Sequence, residues 1–178
     1  MNTVQFVARL AFLFTMLFPC LVVAQNAPST PSRAPVPAEL LSAKKIFVSN
    51  AGADSGLFPH PFSGDPSRGY NQLFAALHSL GQYELVSSPS QADLVLELSL
   101  VAPNGPKEAN KQYGSADPVP MFRLVVYDRP SHYVLWTFTD SIDIAFKQQT
   151  HDHNFDEAIS TLVAEFQALT RVQRATGQ

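Results

Sequence analysis

Two histidines flank an aspartate near the carboxyl end of the chain, in the sequence His151-Asp152-His153. In an extended segment, side chains two residues apart point the same way. Two imidazoles and a carboxylate are ligands that hold zinc or copper. A tight site needs a third or fourth ligand, for which the sequence offers only His60, His132 and Asp128. The cluster therefore suggests metal or small-ligand binding as an alternative function.

The same cluster has a plainer interpretation. A polar linker just before the last predicted helix would place Asp152 near the amino end of that helix, where a negative charge is favourable. Nothing in the sequence brings the other candidate ligands close to it. We therefore expect no cofactor.

A second candidate site lies in the long loop 51–68, where Phe58, His60 and Phe62 alternate with two prolines. Loops of this length are uncommon in compact domains and are often functional. The prolines stiffen the backbone, so the two rings are candidates for a partner-binding lip. In the alternative interpretation, the rings fold back onto the domain as a small apolar cluster.

The remaining acidic residues do not indicate catalysis. Asp140 and Asp143 are three residues apart, a spacing that puts them on opposite faces of a strand and does not suit paired acid and base work. No Gly-x-Ser-x-Gly motif marks a nucleophile. Asp93 stands at the entrance of a strand and is expected to hold the backbone there by hydrogen bonds. We expect a protein that is not an enzyme.

The amino end, residues 1–24, has the pattern of a secretory signal peptide. Arg9 precedes an apolar run over residues 10–23, and Val22-Val23-Ala24 gives the small residue that signal peptidase requires before Gln25. The run would span about 21 Å as a helix, less than the roughly 30 Å of a bilayer core. The only cysteine, Cys20, follows Phe18-Pro19, which is not a lipoprotein context. We predict export to the periplasm or the medium, with no membrane span after cleavage.

Charge and cysteine content narrow the functional classes further. The 178 residues carry 12 basic and 15 acidic side chains, a net charge of −3, and loss of residues 1–24 removes one arginine and no acid. A mildly acidic chain without a basic stripe argues against nucleic acid as a partner. A mature chain without cysteine has no disulfide framework, so its stability comes from the core.

Hydrophobic periodicity organises the rest of the chain around residues 92–100, in which four leucines alternate with other residues as in a strand with one buried face. We predict further strands at 44–50, 83–87, 121–127 and 132–139. One helix starts near Asp65-Pro66 and ends at Gly81, and a second opens at Asn154 with a capping-box arrangement.

These elements predict an α/β two-layer sandwich (α+β). Its mixed five-stranded sheet has the order 2-1-3-4-5, with two main helices packed on it. Residues 25–42, rich in proline, are predicted to be a flexible tether. Residues 43–172 form the single globular domain, and residues 173–178 a frayed tail.

Several short segments also resemble a known group of proteins. These are Tyr83-Glu84-Leu85-Val86, Ala92-Asp93-Leu94-Val95-Leu96, Val125-Val126-Tyr127-Asp128, Val134-Leu135-Trp136-Thr137 and Asn154-Phe155-Asp156-Glu157-Ala158. Together they resemble uncharacterised exported bacterial proteins, of the type frequent in acidobacteria. Those proteins are distantly similar to the amino-terminal domain of TolB and to CsgG-like envelope proteins.

The resemblance implies a non-enzymatic role in the cell envelope, as a partner-binding or assembly domain with an envelope protein as its partner. It carries over no catalytic residues. The partner and the oligomeric state stay open at this point.

Overall fold

The computed structural model describes residues 34–52, 61–103 and 118–176, with side chains up to Arg171. The chain from Pro35 onward forms one compact unit. Its strands are β1 (Lys45–Asn50), β2 (Glu84–Leu85), β3 (Leu94–Val101), β4 (Met121–Asp128) and β5 (Val134–Ser141). Its helices are α1 (Ala38–Ser42), α2 (Arg68–Leu80) and α3 (Gln148–Thr176).

The five strands form one mixed sheet in the order β2-β1-β3-β4-β5, as predicted. Strand β1 runs parallel to both β2 and β3. Strands β3, β4 and β5 follow one another as an antiparallel meander. The parallel half is built by the crossover through α2, and the antiparallel half leaves β5 at the edge of the sheet. The predicted α+β sandwich, with two substantial helices, is confirmed.

The core lies between the sheet and the two longer helices. On β3, the four leucines are buried and the residues between them are partly exposed. Helix α3 covers this surface with a stripe of buried apolar side chains: Phe155, Ile159, Leu162, Val163, Phe166 and Leu169. Burial of each such side chain contributes roughly 1.5–3 kcal/mol, so α3 is a principal source of stability.

The start of α2 differs from the prediction in a small way. Asp65 does cap a turn, because its Oδ1 accepts a hydrogen bond of 2.7 Å from the backbone N–H of Ser67. That turn precedes the helix, which begins at Arg68. The predicted end is confirmed: Gly81 adopts a left-handed conformation with a φ of 61°.

The structure corrects several boundaries. Strand β2 covers Glu84–Leu85 rather than 83–87, and β5 covers Val134–Ser141 rather than 132–139. Helix α3 begins at Gln148 rather than at Asn154, so the predicted capping box lies inside the helix. The same helix continues to Thr176, so residues 173–176 of the predicted frayed tail are helical.

Part of the predicted tether is ordered, because residues 38–42 form α1, with Leu40 fully buried and Val36 nearly so. Two apolar side chains within a proline-rich segment were enough to anchor it to the core. Residues 25–33 of the tether lie outside the described residues.

None of the helices in the described part of the chain is both long and apolar enough to cross a bilayer.

Candidate functional site

The His151-Asp152-His153 cluster lies in the first turns of α3, not in an extended linker. Successive helical residues are rotated by about 100°, so the two histidines point to opposite sides. His151 is buried, whereas the side chain of His153 is 75% exposed and lies 3.9 Å from Glu157. The described residues contain no group of three or more potential ligands arranged to hold a metal ion. The extended conformation assumed for metal binding is therefore wrong.

Asp152, between the two histidines, has a well-defined set of partners. Its Oδ1 lies 2.9 Å from Nη1 of Arg68, and its backbone carbonyl accepts from Nη2 of the same residue at 3.0 Å. The backbone N–H and the hydroxyl of Ser63 donate to the two carboxylate oxygens at 2.9 and 2.7 Å. This carboxylate joins the loop before α2 to the amino end of α3.

The surroundings of Asp152 shift its pKa strongly. The hydrogen bonds from Ser63 are the main cause, and those from Arg68 and Gln148 add to them against an opposing effect of desolvation, so the pKa of Asp152 lies far below its ordinary value. Burial alone would lower the pKa of Arg68, but its contacts with Asp152 and Asp156 outweigh burial and raise it. Both groups are therefore charged across the whole physiological range.

Asp156 completes this polar cluster one helical turn later. It accepts from Arg68 and, at 2.7 Å, from the side-chain amide of Gln72. The guanidinium of Arg68 also lies 4.5 Å above the ring of Phe155, a cation–π distance. The charged groups of the cluster are thus satisfied by one another, which indicates a fastening between α2 and α3 rather than a ligand site.

Phe62, one of the predicted lip residues, packs into the core. Its side chain is 5% exposed, with its ring centroid 5.1 Å from that of Phe155 and 6.3 Å from that of His151. A buried ring cannot meet a partner in this conformation. The structure therefore gives Phe62 the alternative role, as part of an apolar cluster. Phe58 and His60 lie outside the described residues, so their part in a binding lip stays a prediction.

Asp93 behaves as the sequence predicts. Its Oδ2 accepts hydrogen bonds from the backbone N–H groups of Lys44 and Lys45 at 2.8 and 2.9 Å. These two bonds are the main reason why the pKa of Asp93 is lowered. The carboxylate fixes the start of β1 beside the start of β3, which is a structural role.

Exposed large apolar side chains occur at both ends of β5. Strand β5 and the segments on either side of it carry four large apolar residues that face solvent: Tyr133, Val134, Ile144 and Phe146. Phe146 is as exposed as the residue type can be. Trp136 and Phe138, in contrast, pack toward α3, with the ring of Phe138 centred 6.1 Å from that of Phe166. The exposed apolar side chains therefore lie at the two ends of β5 and not on its core-facing side.

A polar cleft of about 320 Å³ opens between the carboxyl half of β5 and α3. Its lining residues are Asp140, Ser141, Asp143, Asn154, Glu157, Ala158 and Thr161. Asp140 and Asp143 thus border the same space, contrary to the expectation from their spacing. The reason is that β5 ends at Ser141, so the alternation of a strand no longer applies to Asp143.

One feature of the sequence could have indicated the polar cluster, although the apolar periodicity does not reveal it. Asp152 and Asp156 are four residues apart, which puts them on one face of a helix. Recognising this required α3 to begin before Asn154. Ser63 and Arg68 had no local signal, because their partners are more than eighty residues away in the chain. The predicted strand order already placed β5 at the edge of the sheet, but nothing in the local sequence indicated which side chains beside it are exposed.

Comparison with known proteins gives a likeness of fold. No family model matches the chain. No curated protein matches its sequence. Among solved structures, a DUF4136 family protein from Bacteroides thetaiotaomicron aligns with a TM-score of 0.50 and 13% identity over 78% of this chain and 95% of that one.

Two further solved structures are similar at lower scores. A DUF330 family protein from Xanthomonas campestris aligns with a TM-score of 0.46 and 12% identity, over 78% of this chain and 90% of that one. The carboxyl-terminal domain of LpoB from Salmonella enterica aligns with a TM-score of 0.36 and 13% identity, over 56% and 82%. The likeness to the TolB amino-terminal domain and to CsgG-like proteins stays a prediction.

Proposed function

We propose that this chain is an exported, non-enzymatic protein of the bacterial cell envelope that binds a protein partner through the edge surface. We define the edge surface as β5 with its flanking residues, 133–146. The observation that carries the proposal is the exposure of large apolar side chains at both ends of this strand, Tyr133 and Val134 at its start and Ile144 and Phe146 beyond its end.

The distribution of apolar exposure supports this choice of surface. Among the described residues, Phe74 on α2 is the one other large apolar side chain that is more than a third exposed, at 37%. Exposed single apolar residues are ordinary, but neighbouring exposed apolar residues, such as those at each end of β5, favour an interaction site. Phe146 contributes nothing to the core, so packing gives no reason for an aromatic residue at this position.

The export part of the proposal rests on residues 1–24, with their apolar run ahead of Ala24. The non-enzymatic part is supported by the pairing of the charged side chains within the polar cluster. Arg68, Asp152 and Asp156 bind one another and the backbone, which leaves no free acid or base among them for a substrate.

Tagged chains purified from the producing cells would test the proposal. We expect a protein that co-purifies with the wild type in stoichiometric amount and is lost with the double variant Ile144→Ser/Phe146→Ser. The matched control is Ser79→Ala on α2, which leaves the edge surface intact. Equal recovery of the same proteins with all three chains would contradict the proposal.

A further inference from the structure

The outer edge of β5 has backbone groups free to pair. The backbone N–H of Ile142 donates to the carbonyl of Pro120 at 2.8 Å, on the β4 side. Because alternate residues of a strand direct their N–H and C=O to opposite sides, those of Thr137, Thr139 and Ser141 point outward. In the part of the chain that the structure describes, no strand lies beyond β5.

This edge has few of the features that usually prevent pairing, and its one charged residue is Asp140. Natural edge strands are interrupted by proline, carry lysine or are twisted away by a bulge. Strand β5 contains neither proline nor a basic residue. Its one irregularity lies opposite Val126 and Tyr127, so residues 136–141 pair regularly with β4. Exposed threonines at 137 and 139 favour the strand conformation.

The cleft beside the edge is acidic. Asp140 lies opposite Phe122 on β4, a residue of the buried face, so its side chain is on the α3 side of the sheet. Asp143 and Glu157 add two carboxylates to the same cleft. None of the described residues that line it is basic, and its carboxylates do not form a metal site. An organic cation on a flexible chain therefore fits this acidic cleft better than a metal ion does.

We propose that β5 accepts an additional strand from a partner protein, and that this strand carries a lysine or arginine whose side chain enters the cleft beside Asp140. The inference rests on the proposed function and names the chemistry of the partner. A residue directly opposite Asp140 would have its Cβ about 4.5–5.5 Å away on the same face. Backbone pairing supplies affinity and the cleft supplies specificity in this mode of recognition.

A second copy of the chain does not fit the same edge. Two β5 strands paired about a twofold axis would place another residue of β5 or of the preceding turn opposite Asp140. Strand β5 itself contains no lysine or arginine. The one arginine of the preceding turn, Arg129, is followed by Pro130, which cannot continue a paired strand, and the whole chain carries a net charge of −3. Charge complementarity therefore favours a basic segment of a different protein.

Synthetic peptides test the charge requirement. The probes are nine-residue, end-blocked peptides of alternating threonine and valine, with a single central lysine, norleucine or glutamate. We expect the lysine peptide to bind the mature chain at least about 10-fold more tightly than the norleucine peptide by fluorescence anisotropy, and the glutamate peptide to bind most weakly. Asp140→Asn/Asp143→Asn should abolish the preference, whereas Glu84→Gln, a charge change on β2 at the opposite edge of the sheet, should keep it. No preference for lysine would overturn the inference.

Backbone pairing is tested separately. Thr139→Pro removes an outward N–H and should weaken the lysine peptide at least about 10-fold, whereas Thr139→Ala should stay within about twofold. If Thr139→Pro does not fold, N-methylation of alternate residues of the lysine peptide blocks the same hydrogen bonds without altering the protein. Unchanged binding of the methylated peptide would overturn strand addition.

The two proposals fail in different ways. A partner that depends on Ile144 and Phe146 but ignores both the carboxylates and the strand edge would overturn this inference and leave the proposed function standing. Recovery of the same proteins with wild type and with Ile144→Ser/Phe146→Ser would overturn the proposed function itself.

Discussion

At the scale of single residues, the most connected group is the carboxylate of Asp152. It was singled out in the sequence as a metal ligand beside two histidines, but in the structure it binds Arg68 and Ser63. Asp152 could be recognised from the sequence as an important polar residue. Its partners could not be recognised, because they lie in a loop that is distant in the chain. Asp93 was predicted correctly because its role, holding the start of a strand, depends on local position.

Replacing Asp152 should destabilise the fold. Asp152→Asn removes one of the two carboxylates that neutralise Arg68, whose side chain is only 18% exposed. We expect a loss of about 2–3 kcal/mol in the free energy of unfolding, measured with urea. Glu157→Gln, an exposed change on the same helix, should cost less than about 0.5 kcal/mol. Equal effects of the two changes would contradict the fastening role.

The pH dependence of the free energy of unfolding also tests the contribution of the Asp152 carboxylate. An ordinary aspartate has a pKa of about 3.9 in an unfolded chain, and the pKa of Asp152 is lowered in the folded state. The carboxylate therefore stabilises the fold above pH 4 and loses that contribution as the pH falls through its folded-state pKa. The stability difference between wild type and Asp152→Asn should be constant from pH 7 to 5 and narrow below pH 4. A difference that grows on acidification would contradict this assignment.

The start of β1 offers a second residue test. Asp93→Ala should lower the free energy of unfolding by about 1 kcal/mol, the usual effect of losing a carboxylate that accepts backbone N–H groups. The matched control is Glu84→Ala, which removes an exposed ion pair with Lys45 of 3.5 Å and should have almost no effect. A neutral Asp93→Ala would show that its two backbone hydrogen bonds do not hold the strand.

At the scale of elements, the spacing of apolar residues correctly predicted which faces of the strands and helices are buried. The alternating leucines of β3 and the apolar stripe of α3 are both buried as expected, because burial of one face imposes these patterns on the sequence. Boundaries were less accurate for a physical reason. Asn154 and Glu157 resemble a capping box, but His151 and Phe155 lie on the buried side, and this packing extends α3 back to Gln148.

The end of α2 depends on one backbone conformation. Gly81 has a φ of 61°, where a side chain costs roughly 1–2 kcal/mol. Gly81→Ala should therefore lower the free energy of unfolding by about that amount, measured by thermal and urea denaturation. Ser79→Ala, in the last turn of the same helix, should change stability by no more than about 0.5 kcal/mol. A Gly81→Ala variant as stable as wild type would contradict the left-handed cap.

At the scale of the whole molecule, the sheet in the described part of the chain ends in a very short strand on one side and a long strand on the other. Strand β2 has two residues, whereas β5 has eight. The apolar and acidic side chains of the edge surface surround the longer edge. The mature protein is expected to begin at Gln25, which an intact mass measured on protein recovered from the producing cells would check. A mass that includes residues 1–24 would contradict signal cleavage.

The central claim, that a partner protein binds along residues 133–146, is tested most directly by photo-crosslinking in the producing cells. A photoreactive amino acid at position 146 is compared with the same amino acid at position 79, an exposed site on α2. The account predicts one dominant crosslinked protein from position 146, absent from position 79 and reduced by Thr139→Pro. The same crosslinks from both positions, or none from position 146, would contradict it.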